Sequence, residues 1–293
     1  MACVKYFLSE GKPRINSLEA KSIIRRALAE DIGQGDITTR LHVPPGINIK
    51  AKIIAKEDFL LCGIGLAKEV FKTVDPGLKF KPQAQEGAKV SKKQVLAIIS
   101  GKASSILTAE RVALNLLSFL SGVATKTNKF VKNIQPLKTK ITDTRKTIPG
   151  LRGLQKYAVR IGAGYNHRMR LDEMILIKDN HLKIMGGCLN LFKAPKGYKI
   201  EIEAQSLKEF KRALTFKPDI IMLDNMRFQD IAKAVSIRNN FKFNNQPCSI
   251  LLEVSGGIHL GNVKKYAATG VEIISIGELT DSITSVDVSL DID

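Results

Sequence analysis

The stretch ITDTRKTIPGLRGLQKYAVRIGAGYNHRMRLDEMILIKDNH, residues Ile141–His181, decides how the chain is expected to fold. It begins with a short apolar run that stops at Asp143. It closes with a second apolar run, Met174 to Ile177, which is followed by Lys178. A helical segment and a glycine-containing loop lie between the two runs, a pattern that predicts two successive strands of a parallel sheet. Because ligands bind at the carboxyl ends of parallel strands, the cations there predict a site for an anionic small molecule.

Length and composition predict a globular protein of one or two domains. The 293 residues are 44% hydrophobic, which is enough for a sizeable core. No apolar run approaches the roughly 18 residues of a membrane span. The N-terminal residues MACVKYFLSEGK lack the apolar core of a secretory signal, which favours a cytoplasmic protein. The cysteines stand far apart without a CxxC pair, which indicates reduced thiols and neither a disulfide framework nor a zinc site.

The formal net charge of +18 indicates anionic partners. Nucleic-acid binding is one explanation. However, the lysines are spread through the whole chain, with no Arg-rich arm and no aromatic RNA-binding pattern. A lysine-rich composition combined with a site for polyanionic substrates explains the charge as well, and a basic field would speed the capture of phosphorylated ligands. We therefore expect small-molecule substrates, and neither nucleic acid nor a membrane, as partners.

The N-terminal part of the chain predicts a domain of its own. Residues 17–30 form an amphipathic helix that Ser17 can cap. Between residues 47 and 100 the period changes to short β-prone runs separated by turns, which predicts a small sheet with one helix around 66–74. Residues 108–134 predict a long helix that leads into the next domain. The alternating segment 283–293 predicts an antiparallel strand that returns to the first domain.

Apolar runs that end in polar residues or glycine repeat through the C-terminal half. After the opening stretch they are YKIEIEA, DIIMLD, SILLEVSGG and VEIISIG, with helical segments between them. Such near-continuous apolar strands are typical of a parallel sheet that is buried on both faces. Residues suited to a site terminate almost every strand, which favours an α/β barrel over an open doubly wound sheet.

Candidate site cations follow the two strands of the opening stretch. They are Arg145, Lys146, Arg168 and Lys178, with His167 beside them. Several cations in one concavity are costly to bury unless anions arrive, and guanidinium groups prefer bidentate carboxylate or phosphate partners. Salt bridges to Asp143, Asp172 and Asp179 are the alternative interpretation. An acidic, multiply charged substrate is the natural complement of these cations.

Two acids and a set of small residues predict a second part of the site. Glu203 and Asp224 end consecutive strands in apolar surroundings, where carboxylates are rare unless they are paired, hydrogen-bonded or metal-bound. Sugar hydroxyls or Mg²⁺ would satisfy them, and a core salt bridge to Lys178 is the alternative. Small residues follow the last two strands, where backbone N–H groups can approach a phosphate. They are Ser255, Gly256, Gly257 and Gly277. Together these groups predict group transfer to or from a phosphorylated sugar.

Two further residues call for an interpretation. Arg111 lies in the first turn of the long predicted helix, where the helix dipole disfavours a cation. It is either a solvated surface charge or a cation placed for an anion from elsewhere. The chain has four histidines and no His-x-x-x-His pair, so a transition-metal site is not expected, and His181 is interpreted as structural.

At these residues the chain resembles the quinolinate phosphoribosyltransferases. The similarity runs in the family's order through EDIGQGDITT, TAERVALNLLSFLSGVAT, TDTRKTIPGLRGLQKYAVRIGAGYNHR, LIKDNH, IEIEA, IMLDN, EVSGGI and ISIGELT. It implies the type II phosphoribosyltransferase architecture: an N-terminal α/β sandwich domain, residues 1–115 rejoined by 280–293, and an incomplete α/β barrel of about seven strands, residues 116–279. It also implies a homodimer in which the first domain of one subunit caps the barrel of the other.

The resemblance implies a role for each candidate residue. The cations that bind quinolinate would be Arg145, Lys146, His167, Arg168 and Lys178, with Arg111 supplied by the partner subunit. The residues that bind phosphoribosyl pyrophosphate would be Glu203, Asp224, Ser255, Gly256, Gly257 and Gly277, and the two acids would also hold Mg²⁺. Catalysis would depend on Lys146, Lys178, Glu203 and Asp224. Two departures from the family pattern, Ala163 and Met174 in place of glycines, remove no charged contact.

The implied reaction transfers phosphoribosyl from phosphoribosyl pyrophosphate to quinolinate with decarboxylation. It gives nicotinate mononucleotide, CO₂ and pyrophosphate in NAD biosynthesis. One alternative is a nicotinate-using phosphoribosyltransferase of the same fold, against which the full set of dicarboxylate-binding cations argues. Another is the homologous branch linked to molybdate transport, against which the intact LIKDNH and NHR segments argue.

Overall fold

The computed structural model describes Pro13, residues 15–186, Pro195, and residues 197–243 and 245–293. These residues form two compact units. The barrel unit comprises Lys129–Lys146 and Gly164–Glu278. The sandwich unit comprises the described residues up to Asn128, Thr147–Ala163 and Leu279–Asp293. The chain passes between the units at points that the sequence does not indicate, and the domain boundary after residue 115 stays a prediction.

The helices are named in chain order: α1 (Ser17–Ile32), α2 (Ile37–His42), α3 (Ile64–Val74), α4 (Ala103–Asn133), α5 (Arg152–Ile161), α6 (Asp179–Ile184), α7 (Leu207–Thr215), α8 (Phe228–Asn240) and α9 (Val263–Ala267). The strands are β1 (Asn48–Ala55), β2 (Phe59–Leu60), β3 (Lys79–Pro82), β4 (Lys89–Val90), β5 (Val95–Lys102), β6 (Lys140–Thr142), β7 (Ile175–Ile177), β8 (Ile200–Ala204), β9 (Ile220–Asp224), β10 (Lys242–Phe243), β11 (Gln246–Pro247), β12 (Leu251–Ser255), β13 (Ile273–Ser275) and β14 (Val288–Ile292).

The main sheet of the sandwich unit has the antiparallel order β14-β1-β5-β3. Ala51, Ile53 and Ala55 on β1 are fully buried and alternate with more exposed residues, as expected when one face of a sheet covers a core. Strand β14 pairs with β1, with Ile292 opposite Ala51. The predicted return of the C-terminal segment is therefore confirmed.

The start of α1 differs from the sequence prediction by one residue. The Oδ1 atom of Asn16 accepts hydrogen bonds from the backbone N–H groups of Leu18, at 3.0 Å, and Glu19, at 3.3 Å. Asn16 therefore caps the helix, and the assignment of this role to Ser17 was wrong. Both are short polar residues that serve as N-caps, so the pattern located the helix start but not the capping side chain.

Helix α4 is longer than predicted, because it begins at Ala103 rather than near Thr108. By length and composition it could cross a membrane, contrary to the expectation that no segment reaches such a length. However, 61% of its most apolar window is buried inside the protein. Such burial is typical of a core helix, since an apolar helix must cover its surface with protein or lipid.

The barrel unit contains a six-stranded parallel sheet in the order β6-β13-β12-β9-β8-β7. At the β6 edge, Tyr165 forms a parallel bridge with Thr142, which adds a single residue pair where a seventh strand would stand. An incomplete α/β barrel was predicted, and this topology confirms it. Ile220, Leu251 and Ile273 lie near the amino ends of β9, β12 and β13 and form an apolar cluster. That cluster leaves the carboxyl ends of the strands for polar side chains.

Gly122 on α4 offers a test of packing within the sandwich unit. A Cβ atom at this position would overlap the backbone carbonyl of Thr284, whereas a Cβ at Gly65 on α3 would meet nothing within 4 Å. Alanine is favoured over glycine in helices by roughly 0.5–1 kcal/mol. We expect Gly65→Ala to raise the thermal unfolding temperature and Gly122→Ala to lower it, because overpacking costs about 1–3 kcal/mol. Differential scanning calorimetry would measure both, and a rise for Gly122→Ala would contradict the described contact.

Candidate active site

The parallel register brings the predicted acidic and small residues to one end of the barrel unit. Ser255 is opposite Asp224 on neighbouring strands. Ala204, which follows Glu203, is opposite Leu223. Gly277 lies two residues beyond the end of β13. The carboxyl ends of four adjacent strands thus carry the residues that the sequence singled out.

Asp224 is close enough to Glu203 to influence the charge of that carboxyl group. Burial raises the pKa of Glu203, and the neighbouring Asp224 carboxylate raises it further, while Lys178 lowers it. Glu203 is buried and Asp224 is half-buried. Within the described part of the chain, no ion pair joins Lys178 to either carboxylate, so the predicted alternative of a core salt bridge is not formed. Two crowded carboxylates with a nearby lysine suit hydroxyl groups or a cation with oxygen ligands.

The loop after β12 has the backbone conformation that glycine allows. Gly256 has φ 87° and Gly257 has φ 63°, and both values lie in the left-handed region. The backbone N–H of Asn225 donates a 2.9 Å hydrogen bond to the carbonyl of Ser255. A Cβ atom at Gly256 would overlap the side chain of Asn225. Successive turns of this kind bring backbone N–H groups close to an anion, which supports the predicted phosphate site.

The cationic side of the site contains two neighbouring guanidinium groups. Arg168 is half-buried, and its Nη1 donates a 2.8 Å hydrogen bond to the carbonyl of Met174. Burial lowers the pKa of Arg168, and the positive charge of Arg145 lowers it further. Two guanidinium groups this close repel each other unless an anion lies between or beside them. The structure thus brings Arg145 and Arg168 together, as the sequence predicted.

Two of the acids proposed as alternative partners are engaged with other cations. Asp172 lies 3.7 Å from Arg170, and Asp179 forms a 2.8 Å ion pair with Lys183. Lys146 and Lys178 are exposed at the ends of β6 and β7. Asp172 and Asp179 thus pair with Arg170 and Lys183, which are not among the candidate cations.

The two histidines of the stretch accept hydrogen bonds from the backbone of the residues that carry the site charges. His181 Nδ1 accepts the backbone N–H of Lys178 at 3.0 Å, which confirms its structural interpretation. His167 Nδ1 accepts the backbone N–H of Arg168 at 2.8 Å, and Asp143 accepts the backbone N–H of His167 at 2.9 Å. The Nε2 atom of His167 lies 3.1 Å from Glu201 and 3.6 Å from Glu253. Direct binding of substrate by His167 stays a prediction, and its two nitrogens face protein groups.

Glu201 and Glu253 are buried site neighbours that sequence reasoning missed. Both side chains are fully inaccessible to solvent. Burial raises the pKa of Glu253 well above its usual range, and the negative charge of Glu201 adds to the shift. A signal was present, because each glutamate interrupts an apolar strand, in KIEIEA and in LLEVS. An acid at the centre of a buried strand requires a partner inside the protein.

Arg111 lies on α4 in the sandwich unit. Its side chain is 64% exposed and 4.0 Å from Glu110. Since α4 begins at Ala103, Arg111 lies more than two turns into the helix. The placement of Arg111 in a first helical turn was wrong, and the dipole argument does not apply to it. Its role in a partner's site stays a prediction. Arg152, on α5 of the same unit, is half-buried, and its Nε donates to Thr147 Oγ1 at 2.9 Å.

Comparison with known proteins gives matches over both parts of the chain. Profiles of quinolinate phosphoribosyl transferase match residues 36–121 for the N-terminal domain and 123–291 for the C-terminal domain. A relative from Mycobacterium leprae, named nicotinate-nucleotide pyrophosphorylase (carboxylating), is 39% identical and is covered to 97%, with 93% of this chain aligned. A relative from Methanocaldococcus jannaschii, named a probable enzyme of the same kind, is 43% identical with the same coverage. The solved nicotinate-nucleotide pyrophosphorylase of Francisella tularensis superposes with a TM-score of 0.87 at 39% identity, covering 97% of this chain and all of that one.

An incomplete α/β barrel with cations and acids at its strand ends defines an enzyme of the phosphoribosyltransferase class. Within that class, the chain belongs to the quinolinate phosphoribosyl transferase family. The resemblance found in the sequence is confirmed, and so is the predicted fold.

Gly256 and Gly257 provide a test of the glycine loop. Alanine at either position pays about 1–2 kcal/mol for a left-handed conformation, but only Gly256→Ala must also displace Asn225. We expect Gly256→Ala to lower the unfolding temperature more than Gly257→Ala. Adding Asn225→Ala to Gly256→Ala should recover part of the loss, because it removes the obstructing amide. Thermal unfolding of the two single variants and the double variant would measure this, and equal losses without recovery would show that the loop does not approach Asn225.

Proposed function

We propose that the chain catalyses the transfer of phosphoribosyl from phosphoribosyl pyrophosphate to quinolinate, with decarboxylation, in NAD biosynthesis. The observation that carries the proposal is the adjacency of Arg145 and Arg168 in a barrel whose other strand ends hold Glu203, Asp224 and a glycine loop. Membership in the quinolinate phosphoribosyl transferase family supports it, as do relatives named for the formation of nicotinate nucleotide. The products are nicotinate mononucleotide, CO₂ and pyrophosphate.

Quinolinate is a planar dicarboxylate and suits the cationic side of the site. Two guanidinium groups offer the paired N–H donors that match carboxylate oxygens. Burial and the positive charge of Arg145 lower the pKa of Arg168, against the opposite effect of Glu201 and Glu173, so an anionic substrate would stabilise its charged form. Lys146 and Lys178, both exposed, add positive charge at the ends of β6 and β7. A nicotinate substrate, with a single carboxylate, would neutralise less of this charge.

Phosphoribosyl pyrophosphate suits the acidic side and the glycine loop. Glu203 and Asp224 are placed to accept hydrogen bonds from ribose hydroxyls, as carboxylates do in a half-buried site. The backbone around Ser255, Gly256 and Gly257, together with Gly277, would bind the 5′-phosphate through N–H groups. Asp224 is opposite Ser255 in the strand register, which supports the proposal that the acids bind the ribose hydroxyls beside a loop that binds the phosphate.

Mg²⁺ fits the chemistry of the acidic side. It takes oxygen ligands and is usually bound by one or two carboxylates together with substrate phosphates. Glu203 and Asp224 offer such carboxylates on neighbouring strands, and their mutual repulsion favours a cation. When bound, Mg²⁺ neutralises charge on the pyrophosphate group. The direct ligands proposed here are Glu203 and Asp224.

The side chains then have distinct tasks in the reaction. The pyridine nitrogen of quinolinate attacks the anomeric carbon as the bond to pyrophosphate breaks, and positive charge develops on the ribose. Glu203 and Asp224 stabilise that charge, while Lys146 and Lys178 offset the negative charge of the leaving group. After transfer, the quaternary nitrogen stabilises the carbanion formed when the 2-carboxylate leaves as CO₂, and a proton from solvent then adds to that carbon to give nicotinate mononucleotide. The arginines orient the dicarboxylate and help exclude water.

We also propose a cytoplasmic location and small-molecule substrates as partners. A cytoplasmic enzyme agrees with the bacterial and archaeal sources of the closely matching relatives. Substrate capture, rather than nucleic-acid binding, accounts for the charge of +18. Gel shifts at physiological salt should therefore show no tight complex with nucleic acid.

The direct test mixes the protein with quinolinate, phosphoribosyl pyrophosphate and Mg²⁺, and follows nicotinate mononucleotide and CO₂. We expect Arg145→Ala to lose at least about a hundredfold in kcat/KM, since it removes a charged contact to the substrate. Arg170→Ala is the matched control, because its side chain is 71% exposed and, within the described ranges, its ion pairs are with acids of its own loop. Absence of product from the unaltered protein, beside an active reference enzyme, would refute the proposed function. Equal losses in the two variants would refute the proposed quinolinate site.

The proposed homodimer predicts complementation between inactive variants. If Arg111 acts in the site of the partner subunit, a mixed dimer of Arg111→Ala and Lys178→Ala contains one site with both residues intact. Mixing the two inactive variants should then restore up to about a quarter of the wild-type activity, the share expected when half of the dimers are mixed and each has one intact site. Native mass spectrometry of differently tagged chains would show that subunits exchange. Exchange without recovered activity would exclude a role for Arg111 in trans.

A further inference from the structure

Two buried glutamates inside the barrel unit have no task in the reaction described above. Glu201 precedes Glu203 by two residues on β8, and Glu253 precedes Ser255 by two residues on β12. Because side chains alternate along a strand, each glutamate faces the same side of the sheet as the site residue that follows it. Both glutamates therefore lie one layer deeper than the residues proposed to bind phosphoribosyl pyrophosphate.

Burial of these two glutamates close together lowers the stability of the fold, which suggests that they have a function. Both are fully buried, and their carboxylates lie with His167 in a group whose facing atoms are all within 4.8 Å of one another. Two carboxylates this close repel strongly in a low-dielectric interior. The positive charge of Lys178 acts on the Glu253 carboxylate. The contact common to both glutamates is the Nε2 atom of His167.

The hydrogen bonds around His167 define its protonation. Its Nδ1 atom accepts the backbone N–H of Arg168 at 2.8 Å, so Nδ1 carries no hydrogen. The hydrogen of the neutral ring must then be on Nε2, an atom that lies 3.1 Å from Glu201 and 3.6 Å from Glu253. An Nε2 atom that carries a hydrogen cannot ligate a metal. The group is therefore held by close contacts between the imidazole nitrogen and the two carboxyl groups, although its composition alone would also suit a metal ion.

We propose that Glu201 and Glu253 are positioning residues that act on the substrate through His167. They hold the Nε2–H tautomer of the imidazole, and the acceptor Nδ1 then fixes the backbone of Arg168. This contact, together with the hydrogen bond from Arg168 to the carbonyl of Met174, orients the guanidinium group toward a carboxylate of the substrate. The assignment of a substrate carboxylate to Arg168 rests on the proposed function.

The same kind of contact, a histidine Nδ1 that accepts a backbone N–H, occurs at the end of β7. His181 Nδ1 accepts the backbone N–H of Lys178 at 3.0 Å, one strand further along the sheet. Each histidine thus satisfies the backbone N–H of a site cation, and neither uses that nitrogen to bind substrate. The difference is that His167 also reaches into the barrel interior, where the two glutamates determine its tautomer.

The tautomer can be measured without any enzymatic activity. Long-range ¹H–¹⁵N spectra of the full chain with ¹⁵N-labelled histidine resolve the two ring nitrogens of each of the four histidines. Comparison with His167→Gln assigns the signals of His167. At pH 7 we expect a neutral ring with hydrogen on Nε2. An imidazolium ring, hydrogen on Nδ1, or a shift of the His167 signals on addition of Zn²⁺ would overturn the proposal, the last because it would indicate a metal site.

Kinetics test the effect on substrate binding. The double variant Glu201→Leu, Glu253→Leu removes both acceptors from His167 and leaves residues of similar volume. We expect the KM for quinolinate to rise about tenfold, the effect of losing one hydrogen bond to a charged acceptor. The KM for phosphoribosyl pyrophosphate should change less than about threefold. Its unfolding temperature should not fall, because replacing buried charges with apolar residues is often neutral or stabilising. An effect on binding without a loss of stability distinguishes positioning from a purely structural role.

Glu272→Gln is the matched control. Glu272 is also a partly buried acid of the barrel unit, but it precedes β13 and pairs with Arg238 at 2.8 Å. This variant should lower the unfolding temperature and leave both KM values unchanged. Glu201→Gln, which keeps an acceptor oxygen for the imidazole, should recover most of the quinolinate affinity. Unchanged KM values in the double leucine variant, or equal rises for both substrates, would overturn the proposal. If the unaltered protein does not use quinolinate, the proposed function fails, while the spectra still decide whether the glutamates hold His167.

Discussion

The structure depends above all on the parallel register of the strands in the barrel unit. Pairing of Ser255 with Asp224, and of Ala204 with Leu223, aligns the carboxyl ends of β12, β9 and β8. Residues that are about 20 to 30 positions apart in sequence therefore meet at one end of the sheet, as the βαβ repeat requires. The apolar cluster of Ile220, Leu251 and Ile273 occupies the interior toward the other end. This division leaves one end of the barrel for stability and the other for chemistry.

Like charges are crowded at three places in that end of the barrel unit. The charge of Arg145 acts on Arg168, the charge of Asp224 acts on Glu203, and the charge of Glu201 acts on Glu253, which lies deeper. Each pair lowers the stability of the fold by itself, because burial and repulsion act in the same direction. For the first two pairs, an anionic dicarboxylate and a phosphosugar with its metal ion would relieve the cost. For the deepest pair, relief comes from His167 inside the protein.

Main-chain contacts, as well as side-chain charges, define the conformation of this site. Gly256 cannot carry a Cβ without displacing Asn225, and the backbone N–H groups of Lys178 and Arg168 are each bound by a histidine. These contacts fix the backbone of the loops at the strand ends. Fixed loops suit an enzyme that must orient two polyanionic substrates before they react.

Much of this protein was determined by its sequence alone. Apolar runs ending in charged residues or glycine indicated a barrel with its site at the strand ends, because the period of buried parallel strands is a local property. Arg145, Arg168, Glu203 and Asp224 were predicted as site residues in this way, and the family followed from the same segments. The sequence did not indicate that residues 147–163 belong to the sandwich unit, that Asn16 caps α1, or that Arg111 lies beyond the first turn of α4. Nor did it identify Glu201 and Glu253 as a pair, since only the pairing of strands shows which buried acids face each other and which histidine lies between them. Local pattern thus defined the elements and their ends, whereas tertiary structure decided the contacts across strands, because those depend on packing between residues far apart in the chain.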